Sequence, residues 1–168
     1  MKISLGSDHR GFYTKERIKG LLADMQHEVI DYGADSDASS DYPDYAIPAC
    51  LSVARGETER GILLCGTGIG TTIVANKIAG IRAALCHDEL TADMSRRHND
   101  ANVLCLPADL IGDELIRRMI EAWLNAPFEG GRHARRVKKV MEAERFLSKE
   151  AVEAETLPPP KKPRKTKP

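Results

Sequence analysis

No apolar run in the chain is long enough to cross a bilayer, which excludes a helical membrane span. No CxxC pair occurs among its four cysteines, Cys50, Cys65, Cys86 and Cys105. Unpaired spacing of this kind argues against a disulfide framework or a zinc cluster and for reduced thiols in a cytoplasmic protein. No charged and apolar leader stands at the start either. Met1-Lys-Ile-Ser-Leu-Gly6 runs directly into a strand pattern, so no signal peptide is expected. Net charge is absent as well, with 25 Lys and Arg against 25 Asp and Glu. That balance conceals an asymmetry. The stretch Leu157 to Pro168 carries five Lys/Arg, no acid and five of the nine prolines, which leaves 20 Lys/Arg against 25 Asp/Glu elsewhere. An acidic body argues against nucleic acid as the main partner.

A length of 168 residues fits one domain with a full core. Residues 1–150 are expected to form it, and 151–168 to be a Pro/Lys-rich disordered tail. Short apolar runs alternate with amphipathic stretches. Strands are predicted at 2–6, 28–32, 61–65, 82–86 and 103–106. Helices are predicted at 12–25, from Pro43 to Gly56, 69–78, 88–97 and 112–124, with one more at 132–149. Five βα alternations imply an α/β fold, a parallel sheet covered on both faces. The commonest order for such a sheet is 2-1-3-4-5, which puts a ligand crevice between the first and third strands. The loops at that crevice are Ser7-Asp-His-Arg-Gly11 and Cys65-Gly-Thr-Gly-Ile-Gly70, so topology would bring Asp8, His9, Cys65 and Thr67 together.

The second of these loops concentrates the chemistry. An apolar strand ends at Cys65 and meets three alternate glycines, Gly66, Gly68 and Gly70, before a helix opens. Backbone amides at such a turn can cradle an anion, and the field of a helix N-terminus lowers a neighbouring thiol's pKa. Cys50, Cys86 and Cys105 read as core residues. A dinucleotide turn is the rival reading of the glycines. The spacing is Gly-x-Gly-x-Gly, however, and it follows the third strand rather than the first. Two further clusters stand out. His98-Asn99-Asp100 closes a helix that precedes the fifth strand, which places it at the sheet edge away from the crevice. It would serve catalysis only if the helix were tilted or if a neighbouring subunit's site used it. Arg132 and Arg136 share one face of the last helix at its N-terminus, where cations are disfavoured unless an anion bridges them. A thiolate base, an oxyanion cradle, a histidine proton shuttle and an arginine clamp need no metal and no cofactor. They fit proton abstraction beside a carbonyl on a small phosphorylated compound.

These residues resemble the type B ribose 5-phosphate isomerase family, which includes galactose 6-phosphate and other sugar-phosphate isomerases. The matching stretches are Gly6-Ser-Asp-His-Arg-Gly-Phe12, Asp41-Tyr-Pro43, Gly61 to Gly70, Ala75-Asn-Lys77, Gly80-Ile-Arg-Ala83, Ser95 to Asp100, Asn102-Val-Leu104 and Glu129-Gly-Gly-Arg-His133, within residues 1 to about 147. The resemblance implies a Rossmann-like three-layer fold with an extra C-terminal helix. It implies a homodimer, or a dimer of dimers, whose sites are completed by the neighbouring subunit. By the family's pattern, Cys65 moves a proton between C2 and C1 through a cis-enediol, interconverting ribose 5-phosphate and ribulose 5-phosphate. Gly66, Gly68, Ile69 and Gly70 hold the oxyanion, with Thr67 assisting. His98 opens the furanose ring and Asp8 lies near the sugar hydroxyls. Asn99, Tyr42 and Thr71 belong to the substrate-binding set. His9, Arg132 and Arg136 hold the phosphate. One branch of the family has a glutamate at the position of Thr71 and no cysteine; with Cys65 and Thr71, this chain resembles the cysteine branch. Allose 6-phosphate, galactose 6-phosphate or a tetrose 4-phosphate is the alternative substrate, and a nucleotide-binding module is the alternative of another class.

Overall fold

The computed structural model describes residues 1–150. The elements run β1 (Lys2–Ser7), a 3-10 turn (His9–Gly11), α1 (Phe12–Asp24), β2 (Glu28–Asp31), α2 (Tyr42–Ala54), β3 (Arg60–Cys65), α3 (Ile69–Ala75), β4 (Ala83–Leu85), α4 (Glu89–Asn99), β5 (Val103–Pro107), α5 (Asp113–Asn125) and α6 (Gly131–Glu150). The tail 151–168 and the side chain of Leu147 lie outside the described residues.

All strand pairs are parallel, in the order β2-β1-β3-β5-β4. The expected order 2-1-3-4-5 is therefore corrected in its last two places. Burial gives the reason. Every residue of β5 is buried, whereas β4 is three half-buried residues, Ala83 to Leu85. The longer and more apolar strand takes the inner slot, where both edges are paired and both faces covered. The chain leaves β3, passes over that slot to β4, and returns. Right-handed crossovers then require α3 and α4 to lie on opposite faces, and the core divides accordingly. Ile18, Leu22, Ala92, Ile116, Met119, Ile120 and Trp123 from α1, α4 and α5 pack on one face. Ala46, Ala49, Cys50, Val53 and Ala75 from α2 and α3 pack on the other.

Strand β4 is the sheet's edge, and its neighbour there is a side chain. The Asn76 carboxamide donates to Ala83 O at 3.0 Å and accepts from Ala83 N at 3.0 Å. Asn76 directly follows α3, which ends at Ala75 rather than at 78 as expected. Asn102 does the same one step back, accepting from Arg82 N at 2.8 Å and donating to Gly80 O at 2.9 Å.

Several helix starts follow from local sequence. Asp88 caps α4 by accepting from Thr91 N at 2.7 Å. Pro43 stands in the first turn of α2, where its missing N–H costs nothing. Helix α6 lies apart from the sheet, packed on α4, and its Val140 remains 59% exposed. Beside it runs a groove of about 1130 Å³ lined by Ile81, Arg82, Ala83, His98, Val137 and Val140, among others.

Candidate active site

The loops leaving β1 and β3 lie side by side at the C-terminal edge, because β1 and β3 are neighbours in either order. Cys65 ends β3 and is 5% exposed. Its Sγ lies 3.6 Å from Thr71 Oγ1. The Thr71 hydroxyl donates to Gly68 O at 3.1 Å, and a hydroxyl has one hydrogen to give. The thiol hydrogen is therefore the one shared between sulfur and Thr71. Thr71 is fully buried, so it serves the thiol and the turn rather than the open crevice. The other three thiols are core residues, as read. Burial pushes Cys50 and Cys105 up to about 12 and raises Cys86, so all three stay protonated at neutral pH.

The glycine loop is held from both sides. Ala108 N donates to Cys65 O at 2.9 Å and Asp109 N donates to Gly66 O at 3.0 Å. The loop after β5 thus fixes the two carbonyls that precede the turn. Gly68 has φ +71°, and a Cβ there would meet Leu85 Cδ1 at 2.5 Å and Leu106 C at 3.1 Å. The Tyr42 ring lies against Gly70, 2.8 Å from where its Cβ would be. Thr67 and Ile69 point outward and are exposed, and Ile69 N donates to Thr67 Oγ1 at 3.4 Å.

The exit loop of β1 completes this edge. Asp8 is buried and its Oδ1 accepts from Arg10 N at 2.9 Å and Gly11 N at 3.2 Å, so one oxygen caps the 3-10 turn. His9 Nδ1 lies 3.1 Å from both Ser40 O and Ser40 N. That contact leaves Nε2 as the ring nitrogen without a partner among the described residues.

The remaining candidates are elsewhere. Helix α4 runs back from Asp88, so His98 and Asn99 reach the N-terminal edge of the sheet. Between the Gly61 and Cys65 ends of β3 lie four strand steps, about 13 Å. Arg132 and Arg136 occupy that same far edge, on the first turns of α6. Backbone contacts place them there. Glu129 N donates to Arg97 O at 3.0 Å, and Arg97 Nη2 meets Glu129 Oε1 at 2.6 Å, tying the α5–α6 connector to α4.

This far cluster contains two residues that lie in a matching stretch but were given no role there. His133 stacks on His98 with ring centroids 4.1 Å apart and planes 6° from parallel. Glu129 Oε2 lies 3.7 Å from His98 Nε2 and 3.6 Å from His133 Nε2. The i, i+4 spacing of Glu129 and His133 was the available signal. Burial, His98 and Arg132 hold His133 below the ordinary histidine value, so it is neutral at pH 7. Arg132 Nε accordingly donates to its Nε2 at 3.2 Å. The three donor groups lie within 4.8 Å of one another. Stacked rings aim their lone pairs in parallel planes, however, and an ion in one plane lies out of the other.

The chain thus carries its candidate residues in two groups on opposite edges of the sheet. Cys65, Thr67, Asp8, His9 and Tyr42 stand at one edge, and His98, Asn99, Arg132 and Arg136 at the other. Comparisons with known proteins identify the family. The family model described as Ribose/Galactose Isomerase matches residues 3–140. This chain belongs to the ribose/galactose isomerase family. Ribose-5-phosphate isomerase B of Escherichia coli is 48% identical over 139 residues, 83% of this chain and 93% of that enzyme. D-erythrulose-4-phosphate isomerase of Pectobacterium atrosepticum is 44% identical over 141 residues, 83% of this chain and 93% of the other. The structure of Clostridium thermocellum ribose-5-phosphate isomerase B superposes with a TM-score of 0.86 at 47% identity, covering 88% of this chain and 99% of that one. As a member of the ribose/galactose isomerase family the chain is an isomerase, with an all-parallel α/β fold. No helix among the described residues is long and apolar enough to cross a membrane.

Proposed function

We propose that this isomerase interconverts D-ribose 5-phosphate and D-ribulose 5-phosphate, with Cys65 as the base. The observation that carries the reading is the thiol at the C-terminal end of β3, set between a buried hydroxyl and a pinned glycine turn. The thiolate takes the proton from C2 and returns it to C1. The electron pair freed at C2 moves onto the C1 oxygen, whose charge the amides of the Gly66–Gly70 loop hold, and the hydroxyl proton of O2 passes to O1 as C2 becomes the carbonyl. Asp8 and Tyr42 stand at the same mouth to meet sugar hydroxyls. Two half-sites separated by the length of the sheet call for a second copy of the chain. Laid across the groove beside α6, it would bring its own His98 to open the furanose ring. Asn99 would orient the sugar, and Arg132 and Arg136 would hold the phosphate with His9. The open groove and exposed Val140 support such a homodimer.

The substrate is supported by the Escherichia coli and Clostridium thermocellum relatives, both named as ribose-5-phosphate isomerases. The Pectobacterium relative, named for a tetrose phosphate, favours a second reading in which the same chemistry acts on a shorter sugar. A nucleotide module is disfavoured by Tyr42, whose ring lies where a pyrophosphate would approach Gly70.

The test is kcat/KM of wild type and Cys65→Ala on ribose 5-phosphate, allose 6-phosphate, galactose 6-phosphate and erythrose 4-phosphate. Loss of a general base costs about 10²–10⁴-fold, and a loss of that size on the best substrate, ribose 5-phosphate, is expected. Unchanged turnover in the variant would remove Cys65 from the mechanism, and a better rate with erythrose 4-phosphate would reassign the substrate.

A further inference from the structure

The loops at the C-terminal ends of the five strands are acidic. They carry Asp8, Asp35, Asp37, Asp41, Asp88 and Asp109. Across all five, from Asp8–Gly11, Tyr32–Asp41, Gly66–Gly68, Cys86–Asp88 and Ala108–Gly112, there is a single Lys or Arg, and it is Arg10. Within these loops, the chain that supplies Cys65 offers a dianionic substrate one fixed positive charge.

That charge is held in place. Arg10 Nε donates to Asp109 Oδ2 at 2.9 Å and Nη2 donates to the same oxygen at 2.6 Å. At its root, Arg10 N donates to Asp8 Oδ1. Asp109 is itself fixed, since its backbone N–H donates to Gly66 O. The pair sits directly over the catalytic turn. A Cβ on Gly66 would be 2.5 Å from Asp109 Oδ2 and 3.7 Å from Arg10 Nε. Gly66 therefore leaves room for the pair beside the residue that follows Cys65. Only one edge of the guanidinium is used. Nη1 has no partner among the described residues, and the side chain is 57% exposed. An exposed ion pair of this kind contributes at most about 1 kcal/mol to folding, so stability gives little account of a fork so firmly oriented. An arginine held along one edge still offers the other for two parallel bonds to a phosphoryl group.

We propose that Arg10, oriented by Asp109, is a substrate-binding residue that takes the phosphoryl group of the sugar phosphate from the Cys65 side of the site. The proposal deepens the sugar-phosphate reading above and rests on it. It gives the crevice its own anion contact, in addition to the arginines of the far edge.

Steady-state kinetics with ribose 5-phosphate, with inorganic phosphate as competing inhibitor, tests it on wild type, Arg10→Gln and Arg10→Lys. Loss of a charge-assisted contact raises KM and the inhibition constant of phosphate together, each by about tenfold or more, with kcat within about threefold. Arg10→Lys, which keeps the charge and loses the fork, falls between. An Arg10→Gln enzyme with both constants unchanged overturns the proposal. If wild type turns over no sugar phosphate, the functional reading fails instead. Calorimetric titration of wild type and Arg10→Gln with inorganic phosphate then still decides the role of Arg10: tighter binding by wild type supports it, and equal affinity removes it.

Discussion

Lys15 is a charge placed inside the fold. It is 1% exposed, with Nζ 2.6 Å from Asp31 Oδ2 and a second contact to Glu16. Burial alone would raise the Asp31 pKa. Hydrogen bonds from Lys15 and Lys19 and from Gly33 N–H outweigh it and hold the group below the ordinary carboxylate value. Glu16 is held down as well, first by Lys15. Unfolding releases both carboxylates to ordinary values near 4. Above that pH their contribution is fully present. As pH falls below about 4 the unfolded chain binds more protons, and the contribution is lost. Urea unfolding at pH 7, 5, 4 and 3 should show this fall in wild type and a smaller one in Asp31→Asn. At pH 7 the same substitution should cost about 2 kcal/mol, below the usual cost of breaking a buried pair because Glu16 remains and Asp31 is partly exposed. An equal pH slope in both proteins would place the acid sensitivity elsewhere.

Among the elements, the turn from β3 into α3 carries the most constraint. Gly68 combines a left-handed φ with contact to Leu85 and to the end of β5. Gly68→Ala is expected to destabilise the fold by about 2–3 kcal/mol and to lower activity further by shifting the loop. A thermal melt beside a rate measurement checks both, and an unchanged Tm would mean the turn relaxes freely. Helices and strands at this scale were legible from period and capping residues: Asp88 caps as read, and Gly56 and Pro43 stand at helix ends. The order of β4 and β5 was not legible, because either order satisfies the same alternation and right-handed crossovers. What decided it was the difference in length and burial of two short apolar runs. The end of α3 was missed for a related reason. The helical period continues past Ala75, but Asn76 is drawn to the edge of β4.

For the whole molecule, the separation of Cys65 from His98 is the governing fact. Cys65→Ala and His98→Asn proteins should each be inactive. If sites are shared between subunits, mixing them after dissociation and reassociation forms heterodimers with one fully wild-type site. Activity should then recover to about a quarter of wild type for equal, random exchange. No recovery, with exchange confirmed by mass, would mean that each chain supplies both groups itself. The cluster around Cys65 was legible because a strand, a thiol and three glycines are contiguous. His98 was legible as a motif, and its place at the far edge follows from its position before β5. Arg10 and Asp109 were not legible, since they stand 99 residues apart and meet only because β1, β3 and β5 are adjacent.

The Asn76 carboxamide that occupies both backbone groups of Ala83 has a consequence for assembly. An open sheet edge is a template on which another chain can add a strand, and such growth has no natural end. Here the outermost strand is only three residues long, and the groups it would offer a newcomer at Ala83 are already bonded to a side chain of the same molecule. Association at this side of the protein is thereby steered away from continuous sheet and fibre, toward contacts between side-chain surfaces that close on themselves.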